Sequence, residues 1–233
     1  MAVDEHVEFQ SKGFNLTTRI ACATCNNGWM SALEGRTRPL LTSLLRGESQ
    51  QPDEASLSDV AFWAVKTAIV TAQTGRQKVA VAPEHCQWLY ENQGPPLHTV
   101  VWMGSYAGGA SRPQNWRLHA RRLTLGQNDE SGISYVGYDW TAGLGALLLK
   151  VLLLPPSLWG SPLAIKLQRR ARLSQIWPPA MSPVSFPSAE IFSTSDLADL
   201  SMELVGSRID VLEQTIPESA PDPEADNTMP TSA

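Results

Sequence analysis

Ile20-Ala-Cys-Ala-Thr-Cys-Asn-Asn-Gly-Trp-Met-Ser-Ala-Leu-Glu34 is the stretch from which this 233-residue chain is best read. Cys22 and Cys25 stand at C-x-x-C spacing, which lets two sulfurs reach one tetrahedral ion from a tight turn. Asn26, Asn27 and Gly28 follow, and such residues tolerate left-handed backbone angles, so a turn is expected there. Trp29, Met30, Leu33, Leu40, Leu41 and Leu44 then recur near helical period. The local reading is strand, thiol turn, helix. The helix is expected to start near Trp29 and to end by Gly47, with Pro39 kinking or splitting it.

Composition narrows the class. A hydrophobic share of 42% and eight Trp allow a sizeable core. Charge is unevenly spread. Residues 187–233 hold ten Asp or Glu against one Arg, a balance of −9, which leaves +4 for residues 1–186. A mildly basic body permits nucleic-acid contact without demanding it. Three Cys, two of them at metal-ligand spacing, fit a reducing cytoplasm better than a disulfide scaffold. Met1 to Gln10 has neither a basic flank nor an apolar run, so no signal peptide is read there. The apolar run Leu144 to Leu154, broken by Gly145 and Lys150, is too short to span a bilayer. A cytoplasmic protein with no membrane association is expected.

The rest of the chain gives a coarse plan. Val7 to Phe9 and Phe14 to Ala21 alternate around Ser11-Lys-Gly13, the pattern of a β-hairpin leading to Cys22. Ser56-Leu-Ser-Asp59 reads as a helix start for the apolar run Val60 to Thr71, in which Lys66 is the one charge. Pro83-Glu-His85 reads as another, with Cys86, Leu89 and Tyr90 on its inner face. From His98 the period becomes two. Strands are expected at Thr99 to Tyr106, Trp116 to Leu125 and Ile133 to Trp140, with a strand buried on both faces at Ala146 to Leu154. An antiparallel meander is the economical arrangement. Ile176-Trp-Pro-Pro179 reads as a loop and Ser195 to Val205 as a short helix. Beyond Ile216 the Pro, Glu, Asp, Ser and Ala composition predicts disorder. The fold class is α+β.

Arg19 to Glu34, with Arg38-Pro-Leu and Ala61-Phe-Trp-Ala-Val-Lys-Thr-Ala68, resembles a group of HNH endonuclease-like proteins of actinobacteria and their phages. The likeness is tight over residues 14–72 and looser over 98–180, and C-N-N-G-W-M-S is its specific string. The resemblance implies a hairpin–thiol turn–helix nuclease unit of treble-clef type at residues 1–47. An α+β domain at 48–212 and a disordered tail at 213–233 complete the expected division.

The resemblance also implies chemistry: hydrolysis of DNA phosphodiester bonds with a divalent metal such as magnesium. It transfers a structural-zinc ligand role to Cys22 and Cys25, a general-base role to His6, and the orienting of that base to Asn26 or Asn27. The family's pattern has a first C-x-x-C upstream of an acidic-His pair. Glu5-His6-Val7 matches the pair, sixteen residues before Cys22, and no earlier thiol pair stands in this sequence. The expectation is therefore a unit truncated at its N-terminus. The alternative is a non-catalytic, nucleic-acid-binding or structural remnant of a mobile-element protein.

Each candidate has a plainer reading. Cys22 and Cys25 could be a reduced pair with no ligand; a thioredoxin-like role lacks its βαβ context. His85 and Cys86 could complete a zinc site, yet adjacent residues rarely both reach one ion. A solvated terminal His is the plainer account of His6. Arg117, His119, Arg121 and Arg122, like Lys166, Arg169, Arg170 and Arg172, could meet phosphates or form solvated faces. Trp29, Trp63, Trp88 and Trp102 read as core.

Overall fold

An antiparallel sheet carrying helices on its faces makes this an α+β protein, as expected. In the computed structural model the described residues are 21–72, 83–96, 99–107, 116–126, 134–154, 172–180 and 182–202. The expected N-terminal hairpin, His6 and the acidic tail lie outside them.

Helix begins earlier than Trp29. α1 (Ala23–Cys25) leads through Asn26–Met30, kinked at Gly28, into α2 (Ser31–Leu45). Asn26 is right-handed helical, at φ −64° and ψ −46°, and Gly28 breaks the regular ladder at φ −93° and ψ −112°. The expected left-handed turn is thus replaced by two right-handed helical segments that meet at a kink at Gly28. Pro39 neither ends nor splits α2. Its ring removes one i→i−4 bond, to Gly35, but both residues lie on the exposed side, where water can satisfy the carbonyl.

α3 (Glu54–Ala72) is apolar nearly all round, and most of its residues from Leu57 onward are buried, as such a pattern requires. Its cap is Asp53 rather than Ser56. The Ser56 backbone N–H donates to Asp53 Oδ1 at 2.8 Å, satisfying an orphan donor of the first turn. Hydrogen bonds from the Ser56 side chain and backbone hold the Asp53 carboxyl below its usual range. α4 (Pro83–Asn92) buries His85 and Leu89. Cys86 is exposed and Tyr90 is 61% exposed, so the inner face is one residue away from the expected one. A ten-residue helix with few apolar residues leaves that phase weakly determined in the sequence.

The strands are β1 (Thr99–Tyr106), β2 (Trp116–Gly126), β3 (Ser134–Leu144), β4 (Leu147–Leu153), β5 (Ser174–Trp177) and β6 (Ile191–Phe192). Sheet order is β2-β3-β4-β1-β5, and β6 pairs with β1 in parallel. β2, β3 and β4 form a meander; β1 lies beyond β4 rather than beside β2. Ile176 and Trp177 belong to β5, not to a loop. α5 (Thr194–Met202) packs against β2 and β3. Asp196 accepts the Ser193 N–H and hydroxyl, both at 2.6 Å, and these bonds lower its carboxyl's pKa.

Both faces of β1, of β4 and of the Tyr138–Leu144 part of β3 are buried. Val101, Met103, Trp140, Leu147, Leu149 and Val151 share one core with Leu33, Leu41 and Leu44 of α2 and the apolar side of α3. The alternate positions carry Trp102, Leu148 and Leu152, with Leu197 and Leu200 of α5 also buried. Among these alternate positions lies a buried ion pair. Lys150 Nζ is 2.7 Å from Asp139 Oδ1 and 3.3 Å from Thr141 Oγ1. Asp139 and Lys150 expose 0% and 1% of their side chains.

Gly145 and Ala146 make the β3–β4 turn, with Gly145 at φ +57°. The turn also ties helix to sheet. Ala146 N–H donates to the Leu45 carbonyl at 2.9 Å, and the Ala146 carbonyl accepts from Tyr106 N–H at 2.8 Å. The last turn of α2 is thereby joined to β1 through one residue, Ala146.

Candidate functional site

Cys22 is extended, at φ −66° and ψ 157°, and caps the helical run that begins at Ala23. Its Sγ accepts the Cys25 backbone N–H at 3.2 Å, and its carbonyl accepts the Asn26 N–H at 2.9 Å. The two sulfurs share a hydrogen bond at 3.1 Å. A sulfur at a helix start that receives a backbone N–H is better suited to carry negative charge than its partner. The bond to Cys25 lowers the Cys22 thiol's pKa from its ordinary value, with the Cys25 backbone N–H as the next cause. The same sulfur–sulfur contact is the largest cause raising that of Cys25, followed by desolvation.

Three contacts anchor the turn to α3. Trp29 stacks on Phe62, with ring centroids 5.4 Å apart and planes 6° from parallel. Arg36 Nε lies 2.9 and 3.0 Å from the two Asp59 oxygens. Lys66, the charge in the apolar helix, reaches Glu34 at 2.5 Å. The ion pairs are partly exposed, so each contributes only a few tenths of a kcal/mol to about 1 kcal/mol. The aromatic stack adds about 0.5–1.5 kcal/mol beyond its burial.

The structure brings Cys22, Cys25 and Asn27 together on one exposed turn. Asn27 Oδ1 lies 3.5 Å from Asn26 Nδ2. His6, the expected base, and His98 lie outside the described residues. His85 and Cys86 do not form a pair directed at one ion: the first is buried and the second exposed. Among the described residues no group of three or more His, Cys, Asp or Glu is placed to hold a metal.

The donor set was tested against zinc. Tetrahedral thiolate zinc, with Zn–S near 2.3 Å, requires sulfurs about 3.8 Å apart. The pair at 3.1 Å would need to open by roughly 0.7 Å. Cys22 is exposed, so the change is a side-chain rotation toward solvent. The pair fits as two of four ligands.

The basic clusters are distributed differently. β2 is an edge strand of the described sheet, and its register sets Arg121 opposite Asp139 and His119 opposite Thr141. Arg172 pairs with Glu190 at 2.7 Å and lies over the Phe192 ring, 5.4 Å from its centroid. Lys166, Arg169 and Arg170 lie outside the described residues. Of the Trp residues, Trp102 is fully buried, and Trp29 and Trp63 pack partly buried against the core.

The buried Asp139–Lys150 pair was missed from sequence. Its signal was Lys150 alone inside Leu147-Leu-Leu-Lys-Val-Leu-Leu-Leu154, because a lysine in a doubly buried strand requires a partner. No described helix is long and apolar enough to cross a membrane.

The fold and site define an α+β protein presenting an exposed dithiol turn at the start of a helix. No protein-family model, curated protein or solved structure matches the chain.

The thiol chemistry has a direct consequence. Lowered pKa makes Cys22 thiolate at a pH where the other thiols remain protonated, whereas desolvation raises Cys86. With iodoacetamide under reducing-agent-free conditions, Cys22 is expected to alkylate at lower pH than Cys86. Mass-spectrometric mapping across pH 6–9, spanning the approach to the ordinary thiol value, checks the order; Cys86 labelling first would reject it.

Proposed function

We propose that this chain is an HNH endonuclease-like protein that hydrolyses phosphodiester bonds in DNA, with Cys22 and Cys25 as half of a structural zinc site. The observation that carries the reading is Cys22 capping the helical turn that ends in Cys25, directly before Asn26-Asn-Gly-Trp-Met-Ser31, where a hairpin–thiol turn–helix unit would have its thiols. In this reading His6 takes a proton from the attacking water. Asn26 or Asn27, exposed beside the thiols, orients His6. A divalent metal such as magnesium, when bound, would stabilise charge on the scissile phosphate and the leaving oxygen.

The test is plasmid nicking by the full chain with added magnesium. His6→Ala is expected to lower the rate by about 10²–10⁴-fold, the usual contribution of a general base. Undiminished nicking in that variant would remove His6 from the mechanism.

A second reading is a non-catalytic nucleic-acid-binding protein. It is favoured by the edge position of β2, whose sequence carries Arg117, His119, Arg121 and Arg122. It predicts no nicking by the parent chain, together with DNA binding that weakens steeply with salt. Each arginine that contacts a phosphate contributes roughly 0.9 to the slope of log affinity against log salt. Replacing Arg117, Arg121 and Arg122 by Ala should flatten that slope, and an unchanged slope would reject the β2 surface.

A further inference from the structure

We propose that two copies of this chain join through one shared zinc ion, each donating Cys22 and Cys25. The proposal rests on the zinc-ligand reading of these thiols and names what completes their site. The sulfurs are adjacent, at 3.1 Å, and fit as two ligands of one ion. Structural zinc takes four, in a closed tetrahedral shell. The described residues bring no third His, Cys, Asp or Glu to the pair. The described residues around the pair thus fill two of the four positions.

The surface around the pair suits a second copy of itself. Cys22, Ala23, Thr24, Asn26, Asn27 and Gly28 are exposed. Their side chains are short, so two turns can approach until all four sulfurs meet one ion. No residue from Ala21 to Leu33 is charged. A two-fold axis sets each residue near its own copy, and an uncharged turn avoids the like-charge repulsion that a self-complementary contact otherwise meets. The turn is also held in place: Trp29 stacks on Phe62, and the Cys25 N–H is already aimed at Cys22 Sγ. Metal capture thus requires a side-chain adjustment rather than the folding of a loop.

The experiment uses the full chain, reduced and stripped of metal, then titrated with zinc. Light scattering and zinc content are read together. The expected result is roughly one zinc per two chains, and a mass rising from 25.4 kDa to twice that value. Chelation should restore the monomer. Cys22→Ser and Cys25→Ser should lose both zinc and dimer with unchanged circular dichroism, since neither side chain lies in the core. His6→Ala should retain both.

One zinc per monomer would overturn the dimer and leave the zinc-ligand reading standing. Loss of zinc in His6→Ala would do the same, by showing that the shell closes within one chain. Zinc below a tenth of an equivalent would remove both the dimer and the zinc reading. A dimer that persists after chelation or in Cys22→Ser would show that the thiols do not form the bridge.

Discussion

Lys150→Ala is expected to destabilise the protein by about 3–5 kcal/mol, because removing one partner of a buried ion pair takes the ammonium away from the buried Asp139 carboxylate. Asp139 and Lys150 are essentially inaccessible, at 0% and 1%, and are 2.7 Å apart. Thr141 Oγ1, 3.3 Å from the ammonium, is the second acceptor found for it. The comparison that identifies the cause is a double variant, Asp139→Leu with Lys150→Met. Exchanging a buried pair for apolar groups of similar size is often neutral or stabilising, so the double variant should be closer to the parent than Lys150→Ala. Urea unfolding of the three proteins measures it. A loss below about 1 kcal/mol for Lys150→Ala, well under the cost of an unpaired buried charge, would mean that water or another group reaches Asp139.

Gly145→Val should cost about 2–5 kcal/mol, from two sources. The position has φ +57°, where an L-residue costs roughly 1–2 kcal/mol, and a β-branched residue is the least tolerant. A Cβ would also run into the Leu45 carbonyl oxygen, forcing a shift of a packed segment at about 1–3 kcal/mol. Gly35→Ala is the control. Gly35 is exposed inside α2, and a Cβ there meets nothing within 4 Å. That change should stabilise by about 0.5–1 kcal/mol, since glycine in a helix interior is costly relative to alanine. Thermal unfolding gives both signs; a stable Gly145→Val protein would show that the turn can leave α2 without penalty.

Much of the secondary structure was legible because its cues were local. Thr99 to Tyr106 forms the strand read for it, and the apolar run from Val60 is the buried helix expected. The Asp53 cap was missed because Ser56 and Asp59 offered a second plausible start three residues later. The place of β1 was not legible. Adjacency in sequence favours β1 beside β2, whereas β1 pairs with β4. A strand buried on both faces carries no one-sided pattern from which its neighbours can be chosen. At the site, C-x-x-C spacing announced two ligands, and the structure supplies their hydrogen bonds. Spacing alone could not show that Cys22 would cap a helix, or that Lys150 would find Asp139 across the sheet.

The same placement of β1 governs what happens while the chain is being made. β1 ends at Tyr106, but its flanking partners, β4 and β5, are complete only at Leu153 and Trp177. At about 5–20 residues per second, 71 further residues take roughly 4–14 s. Until Leu153 is made, 47 residues after Tyr106, Val100-Val-Trp-Met103, destined for the interior, has neither neighbour, and its β5 side stays open until Trp177. The nascent chain therefore presents a sticky strand to the cell well before it can be sheathed, and yield during expression should depend on chaperone supply and on slower, cooler synthesis.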